Sequence, residues 1–504
     1  MTRDPLLLAV DQGTSATKAL LVDGAGRVVA AASAPLDVAH PRPGWVEQSP
    51  EAIWASVVRA VGDCLAGQDP ARVAGVGLSS QRESCLLWER ATGRPLGPML
   101  GWQDRRTADA RAELLAAGVG PEIRAATGLP LDPMFSALKA GWLLDRHDPE
   151  RVRSRRGELC LGTVDSWLLW RLGGGAGHAE HLVEVGNASR TQLLNVHTRE
   201  WDERLLDLFR VPRAVLPRVT ASTGPFPPVR GLPPLLDGTP VAAVLGDSHA
   251  ALLAHGVRAP GSVKVTYGTG SSVMGLIDAP AQAEGSPLCL TVAWDDGAPT
   301  YALEGNIRSS GATLRWLAGL FGTDEANLAA RAAADSGGVH LVPAFGGLAA
   351  PWWDNDATGL VSGLTFATGL PELARAALES IAFQVEDLVA GFDTVGRRID
   401  TLLADGGATG NATLMRLQAD TSGRTVRRPH AGNLSALGAA HLAGRALGLT
   451  TPERLAAARG PEDVYRPRSP EPERARRVAA WHDAVARARL RPEPAPGPHR
   501  PGGQ

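Results

Sequence analysis

The chain opens on an apolar run, Leu6 to Val10, that breaks at Asp11 and at Gln12-Gly13-Thr14-Ser15 before a second apolar run, Ala19 to Val22. Apolar runs this short predict buried strands, and Asp23-Gly24-Ala25-Gly26 predicts a hairpin turn into a third strand, Val28 to Ala32. The period then changes. Ile53, Val57, Val61 and Leu65 recur at helical spacing over Pro50 to Leu65, with Ser49 as the cap and Pro50 in the first turn. "VAGVGLSSQRE" returns to a short buried strand ending in polar residues, and strands alternate with helices to about residue 250, as in an α/β domain.

A proline-rich passage, Ser222 to Val241, predicts an irregular connection to the second half. There "VKVTYGTGSSVMGLI", Val263 to Ile277, repeats the opening plan of a β-rich run, a glycine–threonine loop with serines, and an apolar run. Leu373, Ala377, Ile381, Val385, Leu388 and Phe392 predict a helix over Pro371 to Phe392. "LLADGGATGNATLMRLQAD" then reads as a strand, a glycine turn and a helix. Two copies of one α/β plan, facing each other across a cleft, fit this pattern best.

Composition narrows the function classes. A chain of 504 residues exceeds one core, and 44% hydrophobic with 21% charged residues is ordinary globular composition. The formal charge of -2 comes with no basic stripe for nucleic acid and no polybasic run for anionic lipid. No window approaches the roughly 20 apolar residues of a membrane span. Cys64, Cys85, Cys160 and Cys289 have neither CxxC nor zinc spacing and read as buried or free thiols in a reducing compartment, so a cytoplasmic setting is expected. Lysine occurs only at Lys18, Lys139 and Lys264. Codon usage explains its scarcity, yet Lys18 and Lys264 flank the two glycine loops, where a compact ammonium suits phosphate.

A glycine in a strand–strand loop ordinarily serves a turn with φ > 0. Two related loops, one per half, also fit an anion nest of backbone N–H groups and hydroxyls gripping a polyphosphate from both sides. Gly13, Thr14 and Ser15 would form one, and Gly268, Thr269 and Gly270 the other. The chain has no Gly-Lys pair, which excludes a P-loop, and Asp405 to Ala412 fails the GxGxxG dinucleotide pattern. Asp11 either caps its own turn or supplies a carboxylate to Mg2+ on a triphosphate, since magnesium takes one or two carboxylates plus phosphate oxygens and water. Asp247 ends the run "AAVLGD" before an alanine-rich helix, as a helix N-cap, as the base that accepts the proton of an attacking hydroxyl, or as both. Arg82-Glu83, with Trp102 nearby, reads as a surface ion pair or as the paired donor and acceptor with an aromatic wall that a polyol requires.

In order and spacing these elements resemble the FGGY carbohydrate kinases, most closely the members acting on glycerol. The likeness runs from about Leu6 to Leu449 and includes "PGWVEQSPEAIW", "QRESCLLWERATGRP", "GWQDRRTA", "NASRTQLLNVHT", "YALEG" and "VPAFGGLAAPWWD". "MFSALKAGWLLDR" and "GLVSGLTFATGLPELARAALE" are similar to the family's two signatures. The resemblance implies two ribonuclease-H-like domains of the actin and hexokinase type that close over ATP and a small polyol or sugar. Domains are expected at 1–250 (polyol site and first phosphate loop) and 251–460 (second loop and nucleotide pocket), then a helical segment at 461–490 and a disordered proline-rich tail at 491–504. It makes Asp247 the base, Asp11 and Asp247 the metal-side carboxylates, and Arg82, Glu83 and Trp102 the polyol site. Gly13, Thr14, Lys18 and Thr269 become phosphate-loop residues, and Gly311, Arg315, Gly407 and Asn411 line the nucleotide pocket. Members of the family are often dimers or tetramers.

Departures from the family fall mainly around the alcohol. Glycerol-phosphorylating members carry tyrosine, glutamine and phenylalanine where this chain has Met134, Ser248 and Ser272, which predicts a larger and softer pocket. Lys18 replaces an arginine and Arg315 a glutamine. A four- or five-carbon polyol or ketose of the erythritol, xylulose or ribulose type is therefore the alternative acceptor. A nucleotide-gated binding protein without phosphotransfer is the alternative from outside enzymes.

Overall fold

A computed structural model describes residues 4–491. The first lobe holds β1 (Leu6–Gln12), β2 (Ala16–Asp23), β3 (Val28–Pro35), helix α1 (Pro50–Leu65), β4 (Val73–Ser80), β5 (Val241–Gly246) and helix α2 (Asp247–Ala254). Its sheet has the order β5-β4-β1-β2-β3, antiparallel across β1–β2 and β2–β3 and parallel across β1–β4 and β4–β5. The second half of the chain holds β6 (Ser262–Tyr267), β7 (Ser271–Ile277), β8 (Cys289–Asp295), β9 (Pro299–Ile307), α3 (Gly311–Leu320), α4 (Leu370–Asp393), β10 (Thr401–Asp405), α5 (Ala412–Ser422), β11 (Thr425–Pro429), α6 (Leu434–Ala446), β12 (Glu462–Tyr465) and α7 (Glu471–Ala488), and its sheet forms the second lobe. Its order, β8-β9-β7-β6-β10-β11-β12, contains the first lobe's five-strand plan with an extra strand at each edge. The two ribonuclease-H-like units of the expected fold are both present.

Helix α1 has the expected bounds, and Ser49 Oγ accepts the Ala52 N–H at 3.2 Å. The connection before β5 is irregular, as its prolines predict. Strands β1 and β2 run longer than expected. Asp11 does not end β1, because its backbone continues in register with Lys18 on β2 and Ser79 on β4.

Alternation along β1 decides what Asp11 faces. Leu6, Leu8 and Val10 pack with Ile53, Val57 and Val61 of α1. Leu7 and Ala9 point to the other face, against Leu245 and Leu442 and against Ala251 and Ala440 respectively. Asp11 continues that second face. In the second lobe Val263, Val265 and Tyr267 enter the core with Leu402 and Ala404, leaving Lys264, Thr266 and Asp405 on the opposite face.

Helices α2 and α6 cross between the lobes. A Cβ on Gly438 would stand 1.9 Å from the Ala250 carbonyl oxygen, and one on Gly77 would stand 2.3 Å from that of Ala439. Helix α6, late in the sequence, therefore lies on the first sheet, and a division at residue 250 would cut α2. Of the segment 461–490, expected to be helical, the first part is strand β12 and only Glu471–Ala488 is helix α7, with Trp481 stacked on Phe383 at a centroid distance of 5.4 Å. All but Arg491 of the expected tail lies outside the described residues. Among the described residues, no helix is long and apolar enough to cross a membrane. Cys64, Cys85, Cys160 and Cys289 are free and buried.

Candidate active site

A cleft of about 410 Å³ opens between the lobes, lined by Asp11, Lys18, Asp247, Ser248, Thr266, Asp405, Gly407 and the segment 428–435. Asp11 is 9% exposed, and Ser79 Oγ donates to its Oδ1 at 2.5 Å. Burial pushes the Asp11 carboxyl up to about 6, and the charge of Asp247 pushes the same way. Asp247 is the first residue of α2 and Gly246 takes the cap position, so the N-cap reading of Asp247 does not hold. Its Oδ1 accepts the Ser248 N–H at 2.6 Å and lies 3.4 Å from Arg82 Nε. Burial raises the Asp247 carboxyl above its ordinary value; the Arg82 guanidinium opposes this and Glu83 adds to it.

Arg82 and Glu83 are 6% and 5% exposed, which removes the surface-pair reading. They form the turn between β4 and the strand Cys85–Glu89, with Glu83 in the left-handed region at φ 62°. Arg82 donates through both Nη atoms to Glu304 on β9, at 2.8 and 2.6 Å. Arg190 Nε donates to Glu83 Oε1 at 2.6 Å, and its Nη1 lies 3.1 Å from Glu304 Oε2. Although burial acts against its charge, Arg190 and Arg82 hold the Glu304 carboxyl well below the usual range. Trp102 stands half-buried, and its indole N–H donates to Thr14 Oγ1 at 3.1 Å.

The two glycine loops have the same setting in their lobes. Gly13 N–H donates to the Ala16 carbonyl at 3.0 Å, and Gly268 N–H to the Gly270 carbonyl at 2.9 Å. Neither Gly13 nor Gly268 has positive φ, so turn geometry does not account for them. Close approach accounts for the second loop. A Cβ on Gly270 would stand 2.4 Å from the Ile307 carbonyl oxygen, and one on Gly311 would stand 2.7 Å from that of Gly268. The Thr269 carbonyl accepts the N–H groups of Ser310 and Ala312 at 3.0 Å each, which seats this loop on the start of α3. Ser15 remains exposed beside Thr14. Gly407 begins a short turn after β10, and Asn411 caps α5, its Oδ1 accepting the Leu414 N–H at 3.1 Å.

Lys18 lines the cleft, whereas Lys264 is wholly buried and donates to Ser272 Oγ at 3.1 Å. Lys264 thus shares a strand face with Thr266 and Asp405 but lies buried beneath the opening, and burial lowers its pKa. Ser248 lines the cleft beside Asp247. Met134 packs with Leu129, Phe135, Cys289 and Trp353, and the Phe135 ring lies 5.1 Å from the Arg190 guanidinium carbon. Arg315 points outward, 65% exposed and paired with Glu325 at 2.8 Å.

Sequence reasoning missed roles for Arg190, Glu304 and Asp405. Asp405 lines the cleft, and its Oδ2 accepts from His255 Nε2 at 2.8 Å. A signal was present: Glu304 follows Tyr301-Ala302-Leu303 and Asp405 follows Leu402-Leu403-Ala404, the same intrusion of a carboxylate on an apolar run as at Asp11.

Comparison with known proteins bears on this geometry. The N-terminal domain of the FGGY family of carbohydrate kinases matches residues 6–254, and the C-terminal domain of that family matches residues 263–447. The chain is 42% identical to the apulose kinase of Pectobacterium atrosepticum, covering 97% of this chain and 99% of that protein. It is 45% identical to the glycerol kinase of Aromatoleum aromaticum, covering 96% and 98%. The crystal structure of Plasmodium falciparum glycerol kinase with ADP superposes with a TM-score of 0.89 at 27% identity, over 97% of this chain and 99% of that one. Both domain models fall in order on the two lobes, and the relatives match nearly end to end; this chain belongs to the FGGY family of carbohydrate kinases.

Proposed function

We propose that this protein is an ATP-dependent phosphotransferase that phosphorylates a terminal hydroxyl of a small polyol, with glycerol as the first acceptor to test. One observation carries the reading. Asp247 shares a cleft with a second carboxylate, Asp11, and touches Arg82 of a buried Arg82-Glu83 pair. Asp247 takes the proton of the attacking hydroxyl, and its raised pKa makes it a better acceptor than an exposed carboxylate. Arg82 and Glu83 orient the alcohol as donor and acceptor against the Trp102 wall. Lys18, Thr14 and Thr269 hold phosphate oxygens from the two lobes.

The residues fit magnesium–nucleotide. Among the described residues no group of three or more potential metal-ligating side chains occurs, but magnesium on a triphosphate needs only one or two carboxylates. Asp11, with Asp247 beside it, would hold it, and their mutual repulsion is what a divalent cation relieves. When bound, it neutralises charge developing on the phosphate oxygens. Gly311, Gly407 and Asn411 would border the nucleotide, while Arg315, turned to Glu325, would leave it uncontacted. A cytoplasmic setting suits four free thiols.

The glycerol kinase relatives favour glycerol over a larger polyol or ketose. A nucleotide-gated binding protein without phosphotransfer leaves the Arg82-Glu83 and Asp247 arrangement unused. The test is ADP release from Mg-ATP with purified protein and glycerol, erythritol, xylulose and ribulose. Acceptor-dependent release with glycerol is expected; release with none of the four overturns the reading.

A further inference from the structure

The polyol end of the cleft and the first phosphate loop are joined by a closed ring of hydrogen bonds. Gln48 Nε2 donates to the Thr14 carbonyl at 2.8 Å, and Gln81 Nε2 donates to Gln48 Oε1 at 3.0 Å. Ser84 Oγ donates to Gln81 Oε1 at 2.9 Å, and the Trp102 backbone N–H donates to Ser84 Oγ at 3.0 Å. The Trp102 indole N–H, on the Thr14 hydroxyl at 3.1 Å, closes the circuit. A side arm runs from Gln81 Nε2 to Gln12 Oε1 at 3.1 Å, and Gln12 Nε2 donates to the Gly13 carbonyl at 2.6 Å.

Gln12, Gln48, Gln81 and Ser84 are 0%, 3%, 1% and 0% exposed. Burying three primary amides is costly unless their bonds are made, and apolar residues would fill the same space more cheaply. An amide both donates and accepts, so each glutamine is fixed at two ends while adding no charge that would compete with phosphate. A displacement of Thr14 must then break a bond in this ring or carry Trp102 with it.

We propose that this ring couples the two substrates: an alcohol seated against Trp102 holds Thr14 in its phosphate-facing position, and a nucleotide on Thr14 holds Trp102 against the alcohol. Gln48 and Gln81 are positioning residues that touch neither reactant. The inference rests on Arg82, Glu83 and Trp102 being the polyol site and Gly13-Thr14 a phosphate loop.

The test is calorimetric titration of the full chain with Mg-AMP-PNP, a non-hydrolysable ATP analogue, with and without saturating glycerol. Linkage requires the effect to be reciprocal, and couplings of this kind are usually about 5- to 150-fold. The wild type should bind the analogue at least about fivefold more tightly with glycerol present. Gln48→Met and Gln81→Met, which keep length but cannot relay a hydrogen bond, should bring that ratio to about 1–2 while each ligand alone binds within about threefold of wild type. A wild-type ratio near 1, or folded variants that keep the wild-type ratio, overturns the coupling. Equal loss of both separate affinities at an unchanged ratio also overturns it, since the ring would then only support the fold. If neither methionine variant folds, Trp102→Phe, which loses the indole N–H, decides by the same ratio. Turnover of glycerol with a ratio near 1 removes the coupling and leaves the proposed function standing; no turnover on the acceptor panel removes the function itself.

Discussion

Arg82 in the first lobe and Glu304 in the second meet in a two-pronged buried contact, 2.8 and 2.6 Å, that also includes Arg190. The arginine read as an alcohol-binding group is thus aimed by a carboxylate 222 residues away in sequence. Removing one partner of a buried ion pair costs about 3–5 kcal/mol, because the other charge is left uncompensated. Glu304→Ala should lose stability of that order by urea denaturation. The milder Glu304→Gln should raise KM for the alcohol far more than KM for ATP in initial-rate assays.

Asp247→Asn keeps the shape of the side chain and removes the proton acceptor. General-base catalysis contributes about 10²–10⁴-fold, so kcat should fall within that range. Binding of Mg-AMP-PNP by calorimetry should persist. A variant that keeps wild-type turnover would remove Asp247 from the role of base.

His181 supplies a pH dependence remote from the cleft. It is 8% exposed, with its ring 5.0 Å from that of Trp88, and burial pushes its pKa from 6.5 down to about 3. The folded chain therefore holds His181 neutral where the unfolded chain protonates it. Its contribution is fully present above pH 6.5 and is lost as pH falls from 6.5 towards 3, at about 1.4 kcal/mol per pH unit. His181→Phe should flatten the acid side of the stability profile, with a relative gain of about 2 kcal/mol at pH 5 against pH 8 by chemical denaturation.

Met134→Tyr tests whether a missing phenol sets acceptor preference. One added hydrogen bond is worth about 0.5–1.5 kcal/mol, so KM for glycerol should drop about two- to twelvefold. The ratio of glycerol to xylulose turnover checks the direction.

The fold was largely legible because it rests on local periodicity. Leu6, Leu8 and Val10 alternate as a strand must, Ile53 to Leu65 recur as a helix must, and the second hairpin repeats the first. Asp11 and Asp247 stood out as carboxylates on apolar runs, and both line the cleft. Arg190 lies inside the run "NASRTQLLNVHT", but its role was not legible there, because it meets Glu83 from 107 residues away. The glutamine ring was hidden for another reason. Amides leave no mark in charge or hydropathy patterns, and Gln48 lies on a strand of two residues. Lys264 misled: it shares a strand face with Thr266 and Asp405, yet it is wholly buried on Ser272, and closeness to a loop in sequence does not say how deep a side chain lies.

With bare backbone where Gly438 crosses Ala250, the two helices already touch, and no side chain can be added between them. On the proposed function, room for a bulkier alcohol would come from trimming Met134 or Trp102. Redesign of acceptor choice in this scaffold is a matter of upholstery, with the skeleton left alone.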